Sequence, residues 1–121
     1  MYTEEAKKRW PEQYKESQKR LGKLSKVEQQ ALFKQGNQNT EEIAELFKTG
    51  LAPESNEVQN VIAKHYKWVC SFWTPTKAAY IGLGEMYVTD PRFTATYDNI
   101  VSGLPTFMQN SMKIWATKNL A

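Results

Sequence analysis

Cysteine, histidine, glycine and long apolar runs are all scarce in this 121-residue sequence, and each shortage removes a class of function. The single Cys70 excludes an internal disulfide framework and a multi-cysteine zinc site, and it fits a reducing compartment. One histidine beside one cysteine does not make a metal site, so neither metal nor cofactor is expected. No apolar run approaches the roughly 20 residues of a membrane span, and the opening Met-Tyr-Thr-Glu-Glu is polar and acidic instead of signal-like. A soluble, cytoplasmic protein without a membrane partner is the expectation. Charge of one sign is also missing: 16 Lys plus Arg against 13 Asp plus Glu leave +3, too weak a field for direct nucleic-acid contact. With six glycines there is no phosphate-cradling loop, because Gly82-Leu83-Gly84 is too short and too helical in context.

What the sequence has in surplus is aromatic side chains, 12% with four Trp, more ring than one small core needs. Ten of the fifteen rings follow Gly50. Residues 1–50 instead hold ten Lys/Arg and eight Asp/Glu, alternating in helix-forming sequence, with Trp10 and Tyr14 spaced four apart as the only strong anchors. Pro11 suits a fresh helical turn and Gly22 a C-cap. Ser25 and Glu28 have capping-box spacing and open a helix toward Gly50, with a soft centre at Gly36-Asn37-Gln38-Asn39. After a connection at residues 51–55, Val61, Ile62, His65, Tyr66, Trp68, Val69, Phe72 and Trp73 fall on two adjacent helical stripes. Thr74-Pro75-Thr76 stops that helix, and Thr76 caps another carrying Tyr80, Leu83, Met86 and Tyr87. Asp90-Pro91 begins a helix with Phe93, Tyr97, Ile100 and Val101 that Gly103 ends. A last helix faces Leu104, Phe107, Met108, Met112 and Trp115 inward. Nothing alternates with period two, so the fold class is all-α, with five to seven helices in a single domain over residues 1–121.

Catalytic chemistry is thinly supplied, and an enzyme is not expected. His65 and Cys70 are the obvious dyad, but five helical residues leave them roughly 140° apart. Cys70 reads as a small buried hydrophobe, and His65 as a hydrogen-bonded core or cleft residue. Glu85, the one acid in its helix, admits two readings: a cap or an ion pair with a residue such as Arg92, or a polar contact within a ligand cleft. Gly82 and Gly84 each cost a helix interior about 1 kcal/mol relative to Ala, so the pair implies either close helix packing or space left beside Tyr80 and Tyr87. Val69, Leu83, Ile100 and Phe107 are assigned to the core, whereas Trp68, Phe72, Trp73, Tyr80 and Tyr87 exceed its needs and are candidates for a cleft wall.

The run Gly82-Leu83-Gly84-Glu85-Met86-Tyr87-Val88 followed by Asp90-Pro91-Arg92-Phe93-Thr94 resembles the signature of the TipAS-type antibiotic-recognition domain, the drug-sensing module of certain MerR-family transcription activators. Similarity continues through His65, Trp68, Phe72 and Trp73 and into Arg9-Trp10 and Tyr14-Lys15-Glu16-Ser17-Gln18, essentially the whole chain. The resemblance implies a globin-like fold without haem, whose cleft binds antibiotics or other amphipathic drugs and contributes to multidrug resistance. It also implies that residues 1–50 are a mobile lid closing over a core of residues 51–121. The ligand-binding residues it points to are Trp10, Tyr14, His65, Trp68, Phe72, Trp73, Tyr80, Gly82, Glu85, Met86, Tyr87 and Phe93. Two cysteines of the founding type, one immediately before the Leu-Gly-Glu-Met-Tyr run and one seven residues earlier, are Gly82 and Pro75 here. Covalent thiopeptide capture is left without its thiols. No helix-turn-helix or dimerisation coiled coil lies within these residues, so the expectation is a stand-alone drug-sequestering protein or the effector module of a regulator whose fused domain touches DNA. A second class remains open, a protein-interaction domain whose aromatic groove docks a partner helix.

Overall fold

The structure, a computed structural model, describes residues 11–121. Trp10 and the Tyr14 side chain, the expected anchor pair of the first half, lie outside the described part. Six helices and no strand occur among the described residues: α1 (Pro11–Gly22), α2 (Lys26–Lys48), α3 (Asn56–Val69), α4 (Lys77–Thr89), α5 (Pro91–Asp98) and α6 (Leu104–Asn119).

The helix starts are set by side-chain caps. Ser25 Oγ accepts from the Glu28 amide at 3.1 Å while Glu28 accepts from the Ser25 amide at 2.9 Å, a complete capping box. Ser55 and Thr76 cap α3 and α4 through the amides of Val58 and Ala79. Asp90 ends α4 and starts α5, accepting from the Arg92 amide at 3.0 Å ahead of Pro91. Gly103, at φ 89°, takes the left-handed turn into α6 that an L side chain would resist.

The helix expected from Ser25 toward Gly50 runs unbroken through Gly36 and Asn39, with the following helix packed along it. Two sequence expectations are corrected. Phe72 and Trp73 are not helical, since α3 ends at Val69 and residues 70–72 form a turn whose amides bond back to the Tyr66, Trp68 and Val69 carbonyls. Ile100 is not core: α5 ends at Asp98, and Ile100 lies beyond it at 42% exposure.

The core gathers Ile43 and Ala44 of α2, Val58, Val61, Ile62 and Val69 of α3, Tyr80, Met86 and Tyr87 of α4, Phe93 of α5, and Leu104, Phe107, Met108, Met112 and Ala116 of α6. The broadest helix pairing is α4 with α6. It depends on Gly84, where a Cβ would stand only 3.3 Å from the Gln109 Cα. The bare face at Gly84 is therefore close packing, whereas Gly82 has nothing within 4 Å of its Cβ position. The close-packing reading of this glycine pair holds for Gly84.

Candidate functional site

The aromatic surplus apart from Trp73 forms one connected set of rings with an inner and an outer end. Phe72 meets Trp68 at a centroid distance of 5.0 Å, Trp68 meets His65 at 5.9 Å, and His65 meets Tyr80 at 5.7 Å and Tyr87 at 6.4 Å. From Tyr80 the set continues to Tyr66 and Trp115, and from Tyr87 to Phe93 and Tyr97. The candidate wall thus divides by burial. Tyr80, Met86, Tyr87 and Phe93 are sealed in the core, while Trp68, Phe72 and Trp73 are half-buried. Tyr80 and Tyr87, seven residues apart, share one inner row of α4, and Gly82 lies on the far side of the helix from that row, with nothing within 4 Å of its Cβ position.

His65 is the polar centre of the inner end. It is buried, with Nδ1 2.6 Å from the Tyr80 hydroxyl and Nε2 3.5 Å from that of Tyr87. Burial lowers its pKa to about 4, so the ring is neutral at physiological pH. The same burial pushes the Tyr80 hydroxyl far up. His65 turns to α4, not to Cys70, which is half-buried instead of fully buried as expected.

The outer end is where the N-terminal helices meet the core. The Trp68 ring lies against Gly36, where an added Cβ would come within 2.5 Å of Cζ2, and its Nε1 donates to the Leu32 carbonyl at 2.8 Å. Arg20 donates through Nη1 to the Cys70 carbonyl at 2.7 Å, left free at the end of α3, and through Nε to Glu16 at 3.0 Å. Two open grooves share Arg20. One, of about 640 Å³, has an apolar floor of Leu24, Ala31 and Leu32 between α1 and α2, with Ser71 opposite. The other, of about 300 Å³, is lined by Glu12, Glu16, Trp73, Thr74, Thr76 and Ala79. Trp73 has no ring partner among the described residues. A third groove of about 790 Å³, between α2 and α3, is lined by Glu41, Glu42, Glu45 and Glu57 with Leu46 and Val61; it holds none of the candidate residues and no ring.

Glu85 is exposed and pairs with no residue among those described, while Asp90 takes Arg92 at 3.4 Å. Six residues beyond Ala79, it lies about 120° round α4 from the Trp73 groove. Sequence reasoning missed Arg20, Leu24, Ala31, Leu32 and Thr74. Arg20 was one of ten cations in a half with alternating charge, and nothing in its spacing marks the bond to Cys70.

Residues 2–115 match the family model of the TipAS antibiotic-recognition domain. The HTH-type transcriptional regulator SkgA of Caulobacter vibrioides is 34% identical over 77 residues, covering 62% of this chain and 30% of the relative. The HTH-type transcriptional activators TipA of Streptomyces coelicolor and mta of Bacillus subtilis are 25% and 26% identical over 114 and 116 residues, covering 92% and 94% of this chain and 45% and 44% of the relatives. The chain spans less than half the length of these relatives. Among solved structures, that of TipAS from Streptomyces lividans in complex with nosiheptide superposes with a TM-score of 0.83 at 24% identity, over 97% of this chain and 84% of the other. The all-helical, globin-like fold is therefore shared.

Proposed function

This chain belongs to the TipAS antibiotic-recognition domain family, and from that premise we propose that it binds antibiotics or other amphipathic, aromatic small molecules in the paired grooves at Arg20 without transforming them. The observation that carries the proposal is the family match across residues 2–115. The nosiheptide bound by its structural neighbour supports it. Trp73 supplies the aromatic wall of the smaller groove, and the half-buried Trp68 and Phe72, which line neither groove, are further ring contacts for a ligand that reaches past it. Trp10 and Tyr14 are further ligand contacts by the family resemblance, and Gly82 leaves room at the edge. Tyr80, Met86, Tyr87 and Phe93, with His65 at their centre, are the rigid base that fixes the wall rings in place. Glu85 offers a polar contact only to a ligand long enough to reach round α4.

The relatives are transcription regulators more than twice as long as the matched segment. The chain then acts in the cytoplasm as the effector-sensing module of a MerR-family regulator, with DNA contacted by a fused domain, or alone by lowering free drug concentration. Its one histidine is 3% exposed and away from both grooves, so no acid–base step is part of the proposal. Docking of a partner helix finds less support: the exposed Val27 and Phe33 of α2 lie six residues apart, about 120° round the cylinder, and form no continuous stripe.

The test is a titration with multicyclic antibiotics and dyes, read by tryptophan fluorescence and thermal unfolding. A ligand at a hundredfold excess over its Kd should add about 2.7 kcal/mol of stability. Trp73→Ala should weaken binding, and a panel in which no compound quenches or stabilises would end the proposal.

A further inference from the structure

The two grooves that share Arg20 differ in chemistry, and the difference constrains the ligand. The larger is floored by Leu24, Ala31 and Leu32 and suits an apolar body. The smaller carries two carboxylates, Glu12 and Glu16, beside the indole of Trp73. The guanidinium of Arg20 is already engaged there: Nε with Glu16 at 3.0 Å, Nη1 with the Cys70 carbonyl at 2.7 Å, and Nη1 and Nη2 each 3.4 Å from the Thr74 hydroxyl. That leaves Glu12 uncompensated, with no ion pair among the described residues. Trp73 is half-buried against the core, has no ring partner among the described residues and lines this groove.

A carboxylate without an ion pair among the described residues, beside an indole that stacks on no described ring, is the pairing that holds an organic cation: the ring quadrupole and the negative charge both attract it, and a compact ammonium or a flat amidinium fits both. An anionic ligand would meet Glu12 and Glu16 in the smaller groove, where Arg20, the cation among its lining residues, is already committed; Lys23 lines the larger groove. We propose that the drug site is polarised, taking molecules whose apolar body lies on Leu24, Ala31 and Leu32 and whose cationic end sits between Glu12 and Trp73, with Arg20 marking the boundary. Glu12 is then a specificity-determining residue. This rests on the drug-binding reading above and adds the charge of the ligand.

The experiment compares two probes of nearly the same shape, 9-aminoacridine and acridine, at mildly alkaline pH, where the first is positively charged and the second neutral. Binding to the full chain is followed by tryptophan quenching and by thermal shift. The expected result is about fivefold tighter binding of 9-aminoacridine, a preference that Glu12→Gln and added salt each cut to about twofold. Glu57→Gln, in the groove between α2 and α3, should keep the full ratio. Equal affinity for the two probes, or a ratio that Glu12→Gln leaves intact, overturns the polarised site while leaving drug binding in place. If neither probe binds and the antibiotic panel also fails, both readings fall together; if the panel binds and the acridines do not, the cationic end is overturned alone.

Discussion

His65 shows most directly how one residue ties the core to solution conditions. Its imidazole is sealed with Nδ1 against the Tyr80 hydroxyl, and desolvation lowers its pKa from 6.5 to about 4. In the unfolded chain the ring takes up a proton near pH 6.5, whereas the folded chain resists it until about 4. Between those values the unfolded state binds more protons, so stability falls as pH falls through this window and levels off below it. The whole loss attributable to this group is about 3 kcal/mol. Urea unfolding at pH 7.5 and at pH 5 should differ by about 2 kcal/mol more in the natural chain than in His65→Gln, since carboxylate titrations are common to both. His65→Gln should itself be less stable at pH 7.5, because the buried Tyr80 hydroxyl loses a well-placed partner. An unchanged pH dependence in the variant would show that His65 is not the buried neutral group described.

Among the helices, three glycines of identical propensity have different jobs. An added Cβ at Gly82 meets nothing, at Gly84 meets the Gln109 backbone at 3.3 Å, and at Gly36 runs into the Trp68 ring at 2.5 Å. Alanine should therefore stabilise at Gly82 by about 1 kcal/mol. At Gly84 the packing of α4 on α6 offsets or reverses that gain, and at Gly36 overpacking against a rigid indole should cost a net of about 1–3 kcal/mol. Thermal melts of the three variants check the order, and a stabilised Gly36→Ala would contradict the placement of Trp68. These positions also mark what the sequence could convey. Helix starts were legible because Ser25, Ser55, Thr76 and Asp90 satisfy amides locally, and the core periodicity of α6 was legible because Leu104, Phe107, Met108 and Met112 recur on one face. Gly36 read as a weakness because its partner is 32 residues away in the chain. Trp73 read as helical because its apolar neighbours continue the spacing, although α3 ends at Val69 and gives way to a turn. The site was legible as a family of rings, but not which rings stay open: that depends on how α4 turns against α3 and α6, which period alone does not contain.

At the scale of the whole molecule, α1 and the rest of the fold are held together unequally. The helices α3, α4, α5 and α6 share one apolar core, and α2 joins it through Ile43 and Ala44 near its C-terminal end. The N-terminal half of α2 is fixed by the Trp68 indole on Leu32 and Gly36, and the described side chains of α1 reach the core chiefly through Arg20 on Cys70 and Thr74. None of the described side chains of α1 belongs to the core; those described reach it by polar contacts at the rim of the grooves, and elements held this way sit at the low-stability end of a protein. A charge-assisted hydrogen bond that is about one-third exposed contributes on the order of 1 kcal/mol. Arg20→Met should then raise amide exchange across residues 15–22 by about fivefold, leave α4 and α6 protected as before, and weaken ligand binding by a similar factor, because a ligand that fills the grooves must also hold α1 in place. Exchange and affinity are measured separately, so the coupling itself is exposed: faster exchange with unchanged affinity would mean that α1 is not part of the site, and unchanged exchange would mean that Arg20 does not fasten it.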